Sequence, residues 1–374
     1  MKSILEQKGK LKGKRVLLRL SLNVPVNEEN VISDFKLKRI LPTIEFLRNE
    51  GAKILILGYI GREKIDTLRP VEEYFKQFFN LRFIEDILDE ENLNIVSSMA
   101  EGEVILFENL RKYDKEIDND IEFTKKIASL GDIYVNEAFP DSHREYASII
   151  GLPKFMESYF GPVFIQEIEA LQDIKKMISP NIFVLGGDKL KTKLPFVRKF
   201  VEMADFVFVG GSLANDFFKL KGFEVGKSLV SNEDLGLDDL LDNKKIILPI
   251  DLVVLNADEI FTREVDEVLK NDIILDAGPK TIKLLEEKIK QSKFILWNGP
   301  IGDYKRGFID ATNSLIKVIA DSKIESFVGG GDTVFCIDKL GLADKFDLLS
   351  TGGGSMLKYV CNKSLVGIDA ITNN

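Results

Sequence analysis

Five glycine-rich segments in the second half of the chain contain the residues with the clearest chemical use. Each follows a short apolar run. Glycine lets backbone N–H groups approach a polyphosphate closely, and the start of a following helix favours negative charge. One glycine pair is usually only a turn, whereas five such segments in one half of a chain indicate a phosphate-binding crevice. The segments are Gly186-Gly187, Gly210-Gly211, Asn298-Gly299-Pro300, Gly329-Gly330-Gly331-Asp332-Thr333 and Thr351-Gly352-Gly353-Gly354.

The fourth segment combines the features that a nucleotide phosphate site needs. Its glycines free the backbone, Asp332 offers a carboxylate to Mg²⁺, and Thr333 is predicted to begin a helix. Two lysines, Lys189 and Lys193, follow the first glycine pair at i, i+4 spacing. They could form only a solvated helix face. Because cations at the start of a helix oppose its dipole, we prefer the interpretation that they face phosphate.

In the first half of the chain, single basic residues replace the glycine clusters after the apolar runs. His143 is the only histidine, which excludes most serine–histidine, cysteine–histidine and multi-histidine metal sites. A lone histidine is usually structural, but beside Arg144 we interpret it as part of an anion-binding patch. The basic residues of these loops are Arg19, Arg62, Arg111, His143 and Arg144.

These loops need a scaffold that brings the ends of many strands together. Short β-branched or apolar runs alternate with segments whose apolar residues recur every three to four positions, such as Ile40, Ile44 and Leu47. That alternation indicates βαβ units, so we predict an α/β fold with two doubly wound, parallel-sheet (Rossmann-like) domains. In such sheets ligands bind beyond the carboxyl ends of the strands. The change from basic to glycine-rich loops places the boundary near Tyr159–Gly161.

Composition sets further limits on function. A chain of 374 residues with 45% hydrophobic content is long enough for two separate cores. The formal net charge of −9 disfavours nucleic acid and anionic lipid as partners. The absence of both a long apolar run and a signal-peptide pattern predicts a cytoplasmic protein. We interpret the two cysteines, Cys336 and Cys361, as small apolar residues.

A series of short motifs runs in order along the chain: Gly13-Lys14-Arg15-Val16 with Arg19, Asn23-Val24-Pro25, Leu41-Pro42-Thr43-Ile44, Glu108-Asn109-Leu110-Arg111, His143-Arg144, Trp297-Asn298-Gly299-Pro300, Gly329 to Thr333, and Ser350 to Gly354. Together they resemble the phosphoglycerate kinase family, collinearly from about Gly13 to the end. The resemblance implies phosphoryl transfer between 1,3-bisphosphoglycerate and Mg-ADP, which gives 3-phosphoglycerate and ATP. It also implies Mg²⁺ with ATP or ADP as the cofactor, and a monomer.

The resemblance further implies how the domains are used. Residues 1–158 with 359–374 would bind the glycerate, and residues 159–358 would bind the nucleotide. The segment Leu365–Ile371 would pack on the first domain, and closure about a hinge would join the two half-sites.

Site residues carry over position by position. The implied catalytic residues are Lys36, Arg62, Lys189 and Lys193, with Asp332 as the metal ligand. The implied substrate-binding residues are Ser21, Asn23, Tyr59, Arg62, Arg111, His143 and Arg144. The implied nucleotide-binding residues are Gly187, Lys193, Gly210, Gly211, Gly278, Asn298, Pro300, Lys305, Gly330, Gly331, Asp332 and Thr333.

Four of these positions depart from the family pattern. Ser21 replaces a carboxylate, so its hydroxyl is expected to make a weaker bond to the glycerate. Lys36 replaces an arginine and keeps the charge without the planar fork. Tyr59 replaces a histidine and is expected to donate to a substrate carboxylate. Lys305 replaces an acidic residue and has no acceptor for the ribose, for which Asp303 is the candidate substitute.

The departures leave three functions open. The first is a working phosphoglycerate kinase with compensated or reduced activity, which the retained Arg62, Arg111, Arg144, Lys193 and Asp332 favour. The second is a nucleotide-binding pseudoenzyme of the same fold, which Lys36 and Lys305 suggest. The third is a kinase for another small carboxylate or acyl phosphate.

Overall fold

The structure is a computed structural model that describes residues 1–28, 30–173, 178–187, 190–231, 233 and 235–373. The chain forms two compact units. Unit 1 contains Met1–Gln172 and Lys358–Asn374, and unit 2 contains Asp173–Leu357. A six-stranded parallel sheet lies at the centre of each unit, which confirms the predicted α/β class.

The sheet of unit 1 has the strand order β3-β4-β2-β1-β5-β6, with parallel pairing throughout. Its strands are β1 (Arg15–Arg19), β2 (Lys53–Leu57), β3 (Arg82–Ile84), β4 (Val104–Phe107), β5 (Ile133–Asn136) and β6 (Glu157–Phe160). The first helices of the chain are α1 (Phe35–Asn49), α2 (Arg69–Lys76), α3 (Glu90–Ser97), α4 (Asp114–Ile117), α5 (Ile121–Ala128) and α6 (Pro162–Asp173).

Hydrophobic spacing explains why α1 packs where it does. Its residues Leu37, Ile40, Leu41, Ile44 and Leu47 are buried at intervals of three and four. Such intervals place apolar side chains on one helix face, which covers the sheet. The central strands of the sheet are buried along most of their length, as expected for a parallel sheet covered on both faces.

The strand order of unit 1 determines which loops meet. β2 and β5 pair with β1 on opposite sides. The chain therefore winds away from β1 in two directions, and the loops that follow these strands start from the same edge of the sheet. This edge carries the basic loop residues of the first half.

The end of the chain returns to unit 1. Helices α13 (Gly353–Asn362) and α14 (Val366–Thr372) close the sequence. The Gly367 N–H donates to the Ser142 carbonyl at 2.9 Å, so the C-terminal helix lies against the loop that contains His143.

Unit 2 has a second parallel sheet in the order β15-β14-β13-β7-β8-β9. Its strands are β7 (Asn181–Leu185), β8 (Phe206–Val209), β9 (Ile246–Ile247), β13 (Phe294–Asn298), β14 (Glu325–Gly329) and β15 (Leu348–Ser350). The remaining helices are α7 (Leu190–Met203), α8 (Ser212–Leu220), α9 (Asp238–Leu241), α10 (Pro279–Gln291), α11 (Asp310–Ala320) and α12 (Gly331–Lys339).

A small antiparallel sheet in unit 2 was not predicted. It consists of β10 (Asp251–Asn256), β11 (Glu259–Glu264) and β12 (Ile273–Ala277) in the order β11-β10-β12. A two-residue turn, Ala257-Asp258, joins the first two strands, with positive φ at both residues. Alanine rarely adopts this conformation, so the turn lacks the asparagine–glycine type of signal that marks a hairpin in sequence.

Two general observations apply to the described ranges. Cys336 and Cys361 form no disulfide; Cys336 is buried and Cys361 is partly buried. Within the same ranges, none of the helices has the length and apolar character needed to cross a membrane.

Candidate active site

Three of the predicted site residues of unit 1 meet around Gly61. The Asn23 Oδ1 accepts a hydrogen bond from the Gly61 N–H at 3.0 Å. The Asn23 carbonyl accepts one from the Lys36 Nζ at 3.2 Å. The Arg111 Nη1 donates to the Gly61 carbonyl. The loops after β1, β2 and β4 and the start of α1 are thus tied together, and they carry two cationic groups to one place.

Arg62 extends from the same turn. Asp66 Oδ2 accepts from the backbone N–H groups of Arg62 and Glu63 at 2.7 and 2.8 Å. Gly61 has φ +67°, and a Cβ there would lie 1.8 Å from that oxygen. The turn therefore requires glycine. It holds the Arg62 backbone firmly while the side chain is exposed.

Tyr59 makes a contact inside unit 1 that bears on its predicted role. This side chain is only 4% exposed, and its hydroxyl donates to Asp141 Oδ1 at 2.7 Å. Burial raises the pKa of Tyr59, and the nearby Asp141 carboxylate raises it further. A phenol has one proton to donate. That proton is bonded to Asp141, so a direct bond from the Tyr59 hydroxyl to a substrate carboxylate would require breaking this contact.

Ser21, two residues after the end of β1, has a hydroxyl that is not bonded within the described residues. It is buried, and its Oγ has no hydrogen-bond partner among the described residues. A buried hydroxyl without a partner is unfavourable, so such groups call for an explanation. A bound hydroxyl or carboxylate would supply the missing partner.

Arg19 is structural, although the sequence places it among the basic loop residues. It is the last residue of β1 and is fully buried. Its Nε donates to the Ser148 Oγ at 2.9 Å, and its Nη1 lies 3.1 Å from Asp141 Oδ2. The Ser148 N–H donates in turn to Glu116 Oε2 at 3.0 Å. One buried arginine thus lies between two buried carboxyl groups.

Three buried carboxyl groups, one of which is Glu116 of this cluster, have a raised pKa. Burial raises the pKa of Glu116 to about 7, although the Arg19 charge and the Ser148 hydrogen bonds oppose the shift. Burial also raises the pKa of Glu137 and of Asp276 to about 7. Each folded carboxyl group keeps its proton at a pH where the unfolded group has lost it.

Replacing Glu116 by glutamine is expected to make stability less dependent on pH. The unfolded carboxyl group ionises near pH 4.5, whereas the folded one keeps its proton until about pH 7. The contribution of Glu116 to the free energy of unfolding therefore falls as the pH rises through this window. Thermal melts at several pH values between 4.5 and 7 should show a smaller decrease in Tm for Glu116→Gln than for the parent.

A matched control is Glu122→Gln, because Glu122 is exposed on α5 and pairs with Lys125 at 2.8 Å. Its melts should follow the parent. Equal slopes for Glu116→Gln and the parent would show that Glu116 is ionised in the folded state throughout the window.

His143 is present at the site but is not a cation near neutral pH. Burial lowers the pKa of His143 to about 4, with further lowering from the Arg144 and Lys358 charges. The ring Nδ1 lies 3.0 Å from the Pro140 carbonyl, so a neutral ring donates there from Nδ1. His143 can therefore contribute a polar group to an anion patch, but the charge of this loop comes from Arg144.

Arg144 is held by an aromatic neighbour. Its Nη1 donates to the Tyr146 hydroxyl at 3.1 Å, and its guanidinium carbon lies 5.4 Å from the centre of the Tyr146 ring. Its Nε is buried and has no hydrogen-bond partner among the described residues. Arg144 thus has donor capacity that a bound anion could use.

The glycine segments of unit 2 converge, as predicted. The Gly186 N–H donates to the Asn298 carbonyl at 3.0 Å, and the Gly211 N–H donates to the Ile301 carbonyl at 3.1 Å. The Asn298 Nδ2 donates to the Gly353 carbonyl at 3.3 Å. The loops after β7, β8 and β13 and the start of α13 therefore form one connected edge.

Close backbone packing explains the glycine at position 211. Gly211 has φ +62°, and a Cβ there would lie 2.9 Å from both the nitrogen and the oxygen of Gly187. The neighbouring Ser212 Oγ donates to the Gly187 carbonyl at 3.1 Å. Larger residues at this point would push the first two glycine segments apart. A side chain at Gly210 would likewise meet Phe208 and Ile301.

Lys193 brings a positive charge to these segments. It lies in the first turn of α7, and its Nζ donates to the Gly186 carbonyl. A Cβ built at Gly187 or Gly299 would lie 2.8 or 2.9 Å from that Nζ. The ammonium group is thus surrounded by glycine backbone, which supports the preferred interpretation of this lysine. Lys189, its predicted companion, lies outside the described residues.

The segment from Gly330 to Thr333 forms the start of α12. Gly330 precedes the helix with φ +106°, and a Cβ there would lie 3.6 Å from the Asn298 Nδ2. Asp332 is exposed in the first turn. Thr333 is fully buried, and its Oγ1 has no hydrogen-bond partner among the described residues. Helix starts leave backbone N–H groups unpaired, so an anion is favoured here.

The other predicted nucleotide-binding residues lie on this unit at separate loops. Gly278 precedes α10, and its N–H donates to the Asp251 carbonyl at 2.8 Å. Pro300 packs its carbonyl against Gly186. Lys305 is exposed in a short 3₁₀ helix. Asp303, the suggested ribose acceptor, caps that helix by accepting from the Arg306 N–H at 3.2 Å.

Comparison with known proteins identifies the family. The phosphoglycerate kinase family model matches residues 6–363. The phosphoglycerate kinase of Wolbachia pipientis subsp. Culex pipiens (strain wPip) is 37% identical over 380 residues, which cover 95% of each chain. The chain belongs to the phosphoglycerate kinase family. The enzyme of that name from Dictyoglomus turgidum is 37% identical over 387 residues, or 98% of each chain.

Solved structures of phosphoglycerate kinases share the fold. The structure from Pyrococcus horikoshii OT3 matches with a TM-score of 0.87 and 31% identity, over 100% of this chain and 98% of that one. The structure from Coxiella burnetii matches with a TM-score of 0.78 and 33% identity, over 99% and 98% of the two chains. The phosphoglycerate kinase family is a family of kinases, so the chain is a phosphotransferase, as predicted from its motifs.

Sequence reasoning missed two acidic residues next to the phosphoglycerate kinase motifs. Asp141 contacts Tyr59 and Arg19, and Glu116 contacts Ser148. Asp141 stands two residues before the single histidine, and this proximity was the available signal. Glu116 lies among other charged residues and has no comparable signal, because its burial depends on tertiary packing.

Proposed function

We propose that the chain transfers a phosphoryl group between 1,3-bisphosphoglycerate and Mg-ADP, giving 3-phosphoglycerate and ATP. The observation that carries this proposal is the meeting of Lys36, Asn23 and Arg111 around Gly61. Two cationic groups and an amide there suit a small phosphorylated carboxylate. The full-length similarity to proteins named phosphoglycerate kinase supports the choice of substrate.

Unit 1 is the proposed glycerate-binding part. Its arginines offer forked N–H donors to phosphate and carboxylate oxygens. The Ser21 hydroxyl, which has no partner among the described residues, would bond the glycerate hydroxyl or carboxylate. The neutral His143 ring adds a polar contact. The proposed binding residues are Ser21, Asn23, Arg62, Arg111, His143 and Arg144.

Unit 2 is the proposed nucleotide-binding part. Backbone N–H groups at the start of α12 and the Lys193 ammonium group would bind the phosphates. The Thr333 Oγ1 would gain the partner that it lacks among the described residues. The proposed residues are Gly187, Lys189, Lys193, Gly210, Gly211, Gly278, Asn298, Pro300, Lys305, Gly330, Gly331, Asp332 and Thr333.

The residues of unit 2 fit a magnesium ion that arrives with the nucleotide. The described residues contain no group of three or more His, Cys, Asp or Glu side chains that could hold a metal ion by themselves. Mg²⁺ commonly takes one or two carboxylates and draws its other ligands from phosphates and water. The exposed Asp332 carboxylate at the start of α12 can supply that single ligand. The bound ion would neutralise charge on the phosphate oxygens.

The proposed chemistry requires positioning and charge neutralisation. Phosphoryl transfer passes through a loose transition state in which charge spreads over the transferred group, and no covalent step by the protein is needed. Lys36 in unit 1 and Lys193 in unit 2 are the proposed sources of neutralising charge. Arginines and lysines at such positions stabilise the transition state more than the separated substrates.

The test of this proposal is ATP formation from Mg-ADP with a panel of acyl phosphates. The panel contains 1,3-bisphosphoglycerate, acetyl phosphate and carbamoyl phosphate. We expect the highest kcat/KM by far with 1,3-bisphosphoglycerate, since only this substrate has a second phosphate for the arginines. A higher kcat/KM with another acyl phosphate would assign the chain to a different small carboxylate.

A further inference from the structure

A buried tyrosine–aspartate pair lies against Arg111, one of the proposed glycerate-binding arginines. The Tyr59 hydroxyl donates to Asp141 Oδ1 at 2.7 Å, and both side chains are almost completely buried. The Tyr59 ring lies under the Arg111 guanidinium, whose central carbon is 4.0 Å from the ring centre. This is within the range of a strong cation–π contact.

Arg19 holds the aspartate of this pair in place. Asp141 Oδ2 lies 3.1 Å from Arg19 Nη1, and Arg19 is held in turn by Ser148 at 2.9 Å. Arg19 also lies 5.4 Å from the centre of the Tyr59 ring. A buried carboxylate held by one hydroxyl donor and one guanidinium charge cannot move without leaving a charge unpaired. The hydrogen bond to Asp141 therefore limits the tilt of the Tyr59 ring.

Arg111 makes two contacts with its neighbours, and together they use only part of its hydrogen-bonding capacity. The face of the guanidinium rests on Tyr59, and one Nη1–H donates to the Gly61 carbonyl. A guanidinium has five N–H donors in one plane. The ring contact leaves the other donors on the edge without a protein partner among the described residues. An anion that approaches this edge would meet donors whose plane is already set.

We propose that Tyr59 and Asp141 are positioning residues that set the plane of the Arg111 guanidinium for a phosphorylated carboxylate. The proposal rests on the function proposed above, and it gives Tyr59 a role through Arg111 instead of direct contact with substrate. Asp141 orients the hydroxyl, the ring carries the guanidinium, and the guanidinium binds the anion. A prepared donor plane reduces the ordering cost of binding.

The consequence is a selective effect on one substrate. Loss of the ring should raise the KM for 3-phosphoglycerate, while kcat and the KM for ATP change little, because the contact prepares binding and does not act on the transferred phosphoryl group. For Tyr59→Leu we expect an increase in this KM of about 3- to 30-fold, the range of one cation–π contact. Tyr59→Phe keeps the ring and loses the hydrogen bond to Asp141. We therefore expect a smaller increase in the KM for 3-phosphoglycerate.

The experiment measures 3-phosphoglycerate affinity by calorimetry, together with both KM values, for the parent, Tyr59→Phe and Tyr59→Leu. Thermal melts confirm that each variant is folded. The matched control is Tyr113→Phe, because the Tyr113 hydroxyl also donates to an aspartate, Asp86, at 2.7 Å. The Tyr113 ring packs on Phe123, and no arginine is seen over it in the described part of the chain. This control should bind like the parent.

The results separate the two proposals. A graded loss of 3-phosphoglycerate affinity, with Tyr59→Leu weaker than Tyr59→Phe and ATP binding unchanged, supports the positioning role. Unchanged affinity in both folded variants, or an equal loss of ATP and 3-phosphoglycerate affinity, overturns it while the proposed function stands. A parent that does not bind 3-phosphoglycerate overturns the proposed function and this inference with it.

Discussion

Replacing Lys36 by methionine should lower kcat for ATP formation by roughly 10³-fold, with little change in the KM for ADP. The Lys36 Nζ is held 3.2 Å from the Asn23 carbonyl, beside the turn that presents Arg62. A cation there would neutralise the charge that develops on the transferred phosphoryl group. Methionine keeps the length of the side chain and removes the charge. Initial rates with 1,3-bisphosphoglycerate and Mg-ADP measure the effect.

Two companion variants make the Lys36 result specific. Lys36→Arg keeps the charge and adds a planar fork of N–H donors, so its kcat should equal or exceed that of the parent. Lys38→Met removes an exposed lysine on the same helix that pairs with Asp34 at 3.0 Å, and it should leave kcat unchanged. If Lys36→Met retains the parent kcat, the charge at Lys36 does not contribute to phosphoryl transfer.

Replacing Asp332 by asparagine should lower kcat/KM for Mg-ADP by roughly 10²-fold and raise the Mg²⁺ concentration needed for half-maximal rate. Asp332 lies in the first turn of α12, next to the buried Thr333 hydroxyl. Asparagine keeps the size of the side chain but is a poorer ligand for a hard cation. The helix start itself remains intact, so binding of ADP without metal should change little. Rates over a Mg²⁺ titration measure the shift.

The control for this variant is Asp338→Asn, further along the same helix. It removes one negative charge from α12 at a distance from its first turn, and its Mg²⁺ dependence should match that of the parent. A parent-like Mg²⁺ titration for Asp332→Asn would mean that the metal is held by other groups.

The glycine segments could be predicted from sequence because their function requires backbone geometry. A Cβ at Gly186 or Gly211 would clash with neighbouring backbone atoms, and Gly330 has φ +106°, which favours glycine. Such constraints leave a residue type at a defined place after a strand, which sequence shows directly. Alternation of apolar runs predicted both parallel sheets for a similar reason, since strands buried on both faces are apolar throughout.

The buried polar contacts could not be predicted, because they depend on residues far apart in sequence. Tyr59 and Asp141 are 82 positions apart, and Arg19 and Ser148 are 129 positions apart. From sequence, the Tyr59 hydroxyl is available to a substrate. In the folded chain it donates a hydrogen bond to Asp141. The neutral state of His143 has the same origin, because burial and neighbouring cations lower its pKa to about 4.

The most direct test of the account is ATP formation from 1,3-bisphosphoglycerate and Mg-ADP by the parent and by Lys193→Ala, with ADP affinity measured on both. The Lys193 ammonium lies among the glycine segments, so its removal should abolish most turnover while the rest of the nucleotide site remains. The account predicts saturable turnover in the parent that depends on both substrates and falls sharply in the variant. A folded parent that binds ADP and 3-phosphoglycerate but forms no ATP would contradict it.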